Sequence, residues 1–188
     1  AVLEQLQEHL AGTDIAPMVH YFGQIEQPAA IFHGMYDGYY VTTDGRYGLD
    51  REKAIAALDK MNSLLPFNPE GALGFDFNAG NSTFLNGRAA TMVGWPSFIR
   101  ADADNPEVSQ VVGKWAMGPF PGPGFPMVSA WNLFISSYSP NPDASWEWIK
   151  AYVNAENGKQ FMLEYGIGSP FQTTYEDPEL LETLAHFL

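Results

Sequence analysis

The spacing of hydrophobic positions along this 188-residue chain changes repeatedly, and each change predicts an element. Val2, Leu3, Leu6 and Leu10 recur at helical spacing ahead of Gly12, which predicts a short amphipathic helix over the first ten residues. IAPMVHYF (15–22) is apolar almost throughout and reads as a buried strand. From Gln27 to Tyr40, small and aromatic residues mix without a clear period, as in a helix feeding a turn at Asp37-Gly38, and Asp44-Gly45 punctuates a second turn. Asp50 is placed to cap a helix over REKAIAALDKMNSLL, with Ala54, Leu58, Met61 and Leu65 on one face and Pro66 at its end. After an irregular connection from Phe67 to Ala79, NSTFLNG predicts a short helix capped by Asn81 and closed by Gly87. ATMVGW follows as a strand, opened by the small residues Ala89 and Ala90 where a neighbour must come close.

Pro96 to Ser109 reads as helix and loop, and KWAMGPF as a short strand running into PGPGFP, a surface connection too rich in proline and glycine for regular structure. SAWNLFISS alternates apolar positions, as a strand does, and Asn141-Pro142-Asp143 is placed to cap ASWEWIKAYVNA. ENGKQFMLEYG is a further helix, stopped by Gly166 and Gly168 before Ser169-Pro170, and TTYEDPELLETLAHFL is one more helix or the beginning of one. Trp146 and Trp148, in a helix with core-like neighbours, are assigned to the core together with Trp115. Strands alternating with helices, without internal repeat, predict an α/β layered fold.

Composition narrows the function. Hydrophobic residues make up 46% and aromatics 14%, with 18 Gly and 14 Pro, so the chain is ordered and turn-rich; its length suits one domain or two small lobes. Nine Lys and Arg against 22 Asp and Glu give a net charge of -13, spread rather than blocked, which repels phosphate backbones and anionic lipid and argues against nucleic-acid or membrane-surface binding. The absence of cysteine excludes disulfides, thiolate metal sites and a cysteine nucleophile. No apolar stretch approaches the roughly 20 residues of a membrane helix. The chain opens without a signal peptide or Met and in mid-helix pattern, as a cut or processed chain would. His9, His20, His33 and His186 show no HxH or HExxH spacing, no Gly loop with Lys cradles phosphate, and no G-x-S-x-G elbow presents a serine. No carboxylate pair has a setting suited to glycoside hydrolysis. Neither metal, cofactor nor catalytic residue is expected.

The binding signal lies in FLNGRAATMVGW (84–95) and SAWNLFISS (129–137), each of which puts a tryptophan at a strand edge, the second beside an amide. Two tryptophans at strand edges suggest a binding surface, where flat aromatics stack on a ligand and planar amides or carboxylates bond its polar groups. Trp95, Trp131 and Asn132 are the leading candidates, with core packing as the alternative for each tryptophan. Asp76 is a further carboxylate that could accept ligand hydroxyls or serve only its loop.

With LEQLQEHLAGTDIAPMVHYFG, DGYYVTTDGRYGLD, the helix ending near Leu65, FLNGRAATMVGW, MGPFPGPG, SAWNLFISSYSPNPDASWEWIKAYVNAENGKQF and YGIGSP in this order, the chain resembles the extracellular solute-binding proteins of sugar ABC transporters, the maltose-binding-protein-like family 1. The resemblance implies a periplasmic binding protein-like type II α/β fold, two hinged lobes closing over a sugar, of which this is a central to C-terminal portion. Residues 1–125 would belong to the C-terminal lobe, 126–168 would supply a strand and helices to the N-terminal lobe, and 169–188 would return toward the C-terminal lobe. It also implies that Trp95 and the Ser129-Ala130-Trp131 bend, which Asn132 follows, face the cleft, that Gln24, Gln27 and His33 lie on a loop and helix edge carrying ligand contacts, and that Ser169 lies at a return crossing that often lines the cleft. Many relatives have two glycines where Ser129 and Ala130 stand.

The function so implied is reversible carbohydrate capture by an exported periplasmic or extracellular, membrane-associated receptor, and delivery to the permease subunits of a bacterial ABC importer. Alternatives are a same-fold binding protein for a polyamine or organic anion, or a carbohydrate-active enzyme or accessory module. Arg46, Arg51, Arg88 and Arg100 are too dispersed for an anion site. A strand segment lacking its usual partners predicts a homo-oligomer.

Overall fold

The segment around Val19 organises the first half of the molecule. In the computed structural model, which describes residues 1–36, 38–41, 44–119 and 130–183 and, at Pro96, Phe98 and Ala101, the backbone alone, residues 17–21 are all buried. They run parallel to a second segment through the pairs Ala16–Ala89 and Val19–Met92. The amides of Ala16 and Val19 donate to the carbonyls of Arg88 (2.9 Å) and Thr91 (2.8 Å), and that of Ala90 donates back to Ala16 (2.9 Å). A parallel pair needs a long crossover. Here it contains α2 (Gln27–Tyr36), α3 (Arg51–Leu64) and α4 (Phe77–Leu85), following the N-terminal α1 (Val2–His9).

The layered sheet expected from the sequence is reduced, among the described residues, to this pair and one antiparallel bridge, Val41–Tyr47. No strand forms at residues 114–119 or 130–137, the described parts of KWAMGPF and SAWNLFISS. Alternation makes a segment competent to be a strand, but a ladder exists only where a second backbone meets its N–H and C=O groups. The PGPGFP connection, the Asp37 turn position, Ser129 and His186 lie outside the described residues.

Caps set the helix starts. Asp50 Oδ1 accepts from the Lys53 amide (3.0 Å), as expected, but α4 begins earlier than predicted because Asp76 Oδ1 accepts from the Ala79 amide (2.8 Å). Asn81 therefore lies inside α4 and is not its cap. Asn141 precedes α6 (Pro142–Tyr152) without a side-chain cap bond. The buried face of α3 is Ala57 and Met61, while Leu58 is exposed. The face is rotated from the predicted one because α3 packs on α2 through Met61, which joins Ile31 and Tyr21.

Among the described residues, three clusters form the core. Tyr21, Ile31 and Met61 gather Phe22, Phe32, Met35, Phe77 and Trp95; Leu85, Ile99 and Ala103, the last two on α5 (Pro96–Ala103), gather Phe84, Met92, Val111 and Trp115; Met162 and Leu180 join α7 (Ala155–Tyr165) to α8 (Pro178–Thr183). The Arg100 guanidinium donates to the Met162 carbonyl and so ties α5 to α7. Gly166 allows that approach: at φ 69° it caps α7 in the left-handed region, and a Cβ there would stand 3.2 Å from the Ser97 carbonyl oxygen. Trp146 and Trp148 are not core residues; both are more than half exposed on α6, which meets α7 through Tyr152 and Phe161 at 5.4 Å.

Candidate functional site

Trp95 ends the second of the two paired segments and immediately precedes α5. Its backbone is extended (φ -90°, ψ 126°) and its side chain makes no cap bond, so the ring takes its orientation from what it packs against. That partner is Tyr21, stacked at 6.2 Å between centroids and 23° between planes, with Phe77 at 6.4 Å. Trp95 is half-buried and Tyr21 is 1% exposed, so the indole is backed by core on one side and reaches solvent on the other.

Tyr21 is held from several directions. Its hydroxyl donates to Asn81 Oδ1 at 2.6 Å and lies 3.8 Å from Met92 Sδ. Burial pushes the phenol well above its ordinary range, so it stays a neutral donor. Two glycines make room for it: a Cβ on Gly80 would stand 2.5 Å from the ring, and one on Gly94 2.8 Å from the hydroxyl. Beside it, His20 is fully buried with neither ring nitrogen hydrogen-bonded, and burial lowers its pKa from 6.5 to about 4, which keeps the imidazole neutral.

α2 packs on the same cluster through Ile31, Phe32 and Met35. It carries two predicted contacts: Gln27, its first residue, and His33, both half-buried. His33 meets Tyr40 edge-on at 4.9 Å, and Tyr40 packs in turn on Tyr36 at 5.1 Å. Burial, then the neighbouring Tyr36, raises the Tyr40 pKa. Gln24 is exposed in the loop between the buried segment and α2. Gly23 anchors that loop: its amide donates to the Phe75 carbonyl at 2.9 Å, and a Cβ would come within 2.7 Å of the same oxygen.

The other candidates stand apart. Trp131 is 95% exposed, and Asn132, also exposed, bends its amide back to the Ala130 carbonyl at 3.4 Å. Ser169 is buried; its hydroxyl lies 2.8 Å from Thr174 Oγ1 and accepts from the Phe171 amide at 3.2 Å, while Tyr175 donates to its carbonyl at 3.1 Å. Asp76 is occupied as the α4 cap. Trp95 thus shares a core cluster with Ile31, Phe32 and Met35 of the helix that also carries Gln27 and His33, while Trp131 and Asn132 are exposed on a segment without regular structure. Sequence reasoning missed Tyr21, Phe77 and Asn81; the two glycines flanking the Tyr21 ring, Gly80 and Gly94, were the available signal for a large side chain wedged between α4 and the second paired segment.

This arrangement offers a supported, partly exposed aromatic face, suited to non-covalent recognition. Among the described residues no group of three or more His, Asp or Glu is placed to hold a metal ion, and no helix is long and apolar enough to cross a membrane.

Comparison with known proteins is consistent in kind. The sequence model of a family described as bacterial extracellular solute-binding protein matches residues 8–159. A probable ABC transporter-binding protein of Deinococcus radiodurans is 23% identical over 155 residues, which cover 80% of this chain and 36% of that protein. Among solved structures, maltose-bound MalE3 of T. maritima matches with a TM-score of 0.76 at 21% identity, over 99% of this chain and 52% of that one. An ABC transporter solute-binding protein of Agrobacterium radiobacter K84, in complex with ribitol, matches with a TM-score of 0.73 at 23% identity, over 90% of this chain and 45% of that one. The chain spans about half the length of these solved structures and about a third of the Deinococcus protein, and the likeness to the structures is one of fold.

Proposed function

The chain belongs to the bacterial extracellular solute-binding protein family, and on that premise we propose that it is part of a carbohydrate-binding receptor that captures its ligand reversibly and delivers it to the permease of an ABC importer. The family is one of solute-binding proteins rather than of enzymes. The observation that carries the sugar reading is the half-buried Trp95 indole, backed by Tyr21 and Phe77 in a cluster that also takes Ile31, Phe32 and Met35 from α2. A flat, rigid aromatic face matches the C–H face of a sugar ring, and amides match its hydroxyls. Maltose and ribitol in the two structural relatives are polyhydroxylated ligands of the same chemistry.

In this reading residues 1–125 form most of one lobe, 126–168 contribute to a second, and 169–188 return to the first. Trp131 and Asn132, and with them Ser129, face a cleft that closes over the ligand by hinge motion. Such a receptor works in the periplasm or at the outer cell surface. The exposed aromatic side of α6 and the unpaired 131–135 segment fit a homo-oligomer of this chain. Sedimentation velocity should show a dimer that Phe134→Glu converts to monomer; a monomeric parent sinks the assembly proposal.

Titration of intrinsic tryptophan fluorescence with mono- and oligosaccharides tests the ligand. The expected result is a saturable shift with one sugar, abolished by Trp95→Ala and by Trp131→Ala. Silence across the sugars, with a response to a polyamine, transfers the reading to a cationic solute, the alternative in keeping with a net charge of -13.

A further inference from the structure

Tyr21 is locked more completely than packing alone requires, and we infer that it is the positioning residue that sets the tilt of the Trp95 indole and thereby selects ring-shaped over open-chain solutes at that face. The inference rests on the receptor reading for its ligand, but not for its geometry. Four restraints converge on one side chain. The ring stacks on Trp95 at 23° and meets Phe77 at 5.6 Å. Gly80 and Gly94 close on it from two sides with no space for a Cβ. The hydroxyl, 60 residues away in sequence, is fixed on Asn81 at 2.6 Å. With ring and hydroxyl both fixed, Tyr21 can neither withdraw nor turn.

Trp95 has no comparable hold of its own, since its side chain makes no cap bond and its ring packs on Tyr21 and Phe77. Control therefore runs from Asn81 on α4 through Tyr21 to Trp95. An indole held at one tilt rewards a ligand that already presents a flat, rigid face. An open-chain polyol must freeze several torsions to make the same contact, so a fixed platform discriminates between the two by pre-organisation. A loosened indole can follow either ligand, and the discrimination falls.

The test combines Tyr21→Phe, which keeps the ring and removes the hydroxyl, with Asn81→Ala, which keeps Tyr21 whole. Fluorine NMR of protein labelled with 5-fluorotryptophan, with resonances assigned by single Trp→Phe variants, reads the indole directly, and maltose and ribitol serve as the ring and open-chain probes. The expected result is that both variants displace or broaden the Trp95 resonance and leave that of Trp115 in place. The preference for maltose over ribitol should shrink by up to about tenfold, the worth of one aromatic pair. A Trp95 resonance unmoved in both variants, even with stability reduced, makes Tyr21 a packing residue and overturns the inference. A displaced resonance with an unchanged preference overturns its selective role. Should Tyr21→Phe fail to fold, Asn81→Ala decides alone. A parent that binds neither probe removes the sugar reading and with it the selective role, and the resonance still decides whether Tyr21 positions Trp95.

Discussion

Residues 16–103 and residues 130–153 are both rich in aromatic side chains and use them in opposite ways. In the first region Tyr21, Phe77 and Trp95 interlock around a parallel backbone pair, closed over by α2, α3 and α4. In the second, Trp131, Phe134 and Tyr138 are almost fully exposed, and Trp146 and Trp148 are more than half exposed. Residue type does not explain the difference. The first region contains both halves of its contacts, 71 residues apart in the case of Tyr21 and Met92, whereas in the second, among the described residues, ring partners are confined to Trp148 stacked on Tyr152 at 5.1 Å and Tyr152 against Phe161 at 5.4 Å. Aromatic residues become core only when the surface they face is in the same chain and folded against them.

The sharpest way to break this comparison is truncation in each region. Tyr21→Ala should cost about 3–5 kcal/mol, as for other fully buried aromatics, because it opens a cavity between α4 and the paired segments and leaves Asn81 without its donor. At concentrations too low for self-association, Phe134→Ala should change stability by less than about 0.5 kcal/mol, as expected of a side chain exposed in the single chain. Urea denaturation of the two variants beside the parent measures both. Equal losses would mean that the second region is covered in solution.

A smaller effect comes from pH. His20 is neutral and buried, with its folded pKa depressed from 6.5 to about 4 by burial alone. The unfolded chain therefore takes up a proton before the folded one. Stability from this group is fully present above pH 6.5 and is lost as pH falls from 6.5 through about 4, by about 3 kcal/mol in all. Denaturation midpoints of the parent and of His20→Leu should converge or cross over this interval, the variant lacking that part of the acid sensitivity. Parallel pH profiles would show that the imidazole finds a partner or water. No histidine occurs in residues 130–153, so no counterpart is expected there.

How much of this was legible in the sequence follows the same division. Helices read well because their periodicity and caps are local: α1, α3, α6 and α7 fall where the spacing put them. The resemblance to solute-binding proteins was carried by the order of whole motifs, and the match over residues 8–159 bears it out. Strands read less well. IAPMVHYF, apolar almost throughout, pairs because residues 88–91 lie beside it, while the described part of SAWNLFISS, for all its alternation, has no partner among the described residues. Trp95 was singled out from its place after Gly94, but its support was not, since Tyr21 is joined to it by contacts spanning 74 positions that no local pattern encodes. Asn81, taken for a cap, proved to be the acceptor of Tyr21, because Asp76 starts the helix one turn earlier.

The smallest expected effects concern caps, and they sharpen the comparison at the level of single hydrogen bonds. Asp76→Ala removes a 2.8 Å bond to the Ala79 amide at the start of a helix packed on two of the core clusters, and should cost about 1 kcal/mol. Asn141→Ala changes a residue equally suited to capping, yet its side chain makes no such bond. Its backbone, at φ -134° and ψ 59°, is outside the extended geometry shown by Asp50 and Asp76, and its carbonyl is engaged by the Ser145 hydroxyl at 3.0 Å. Loss at Asn141 should therefore be no more than a few tenths of a kcal/mol. Thermal denaturation of the two variants decides. A loss at Asn141 as large as at Asp76 would require α6 to be capped in solution, and a capped α6 would have an anchored start, bringing the second region closer to the first.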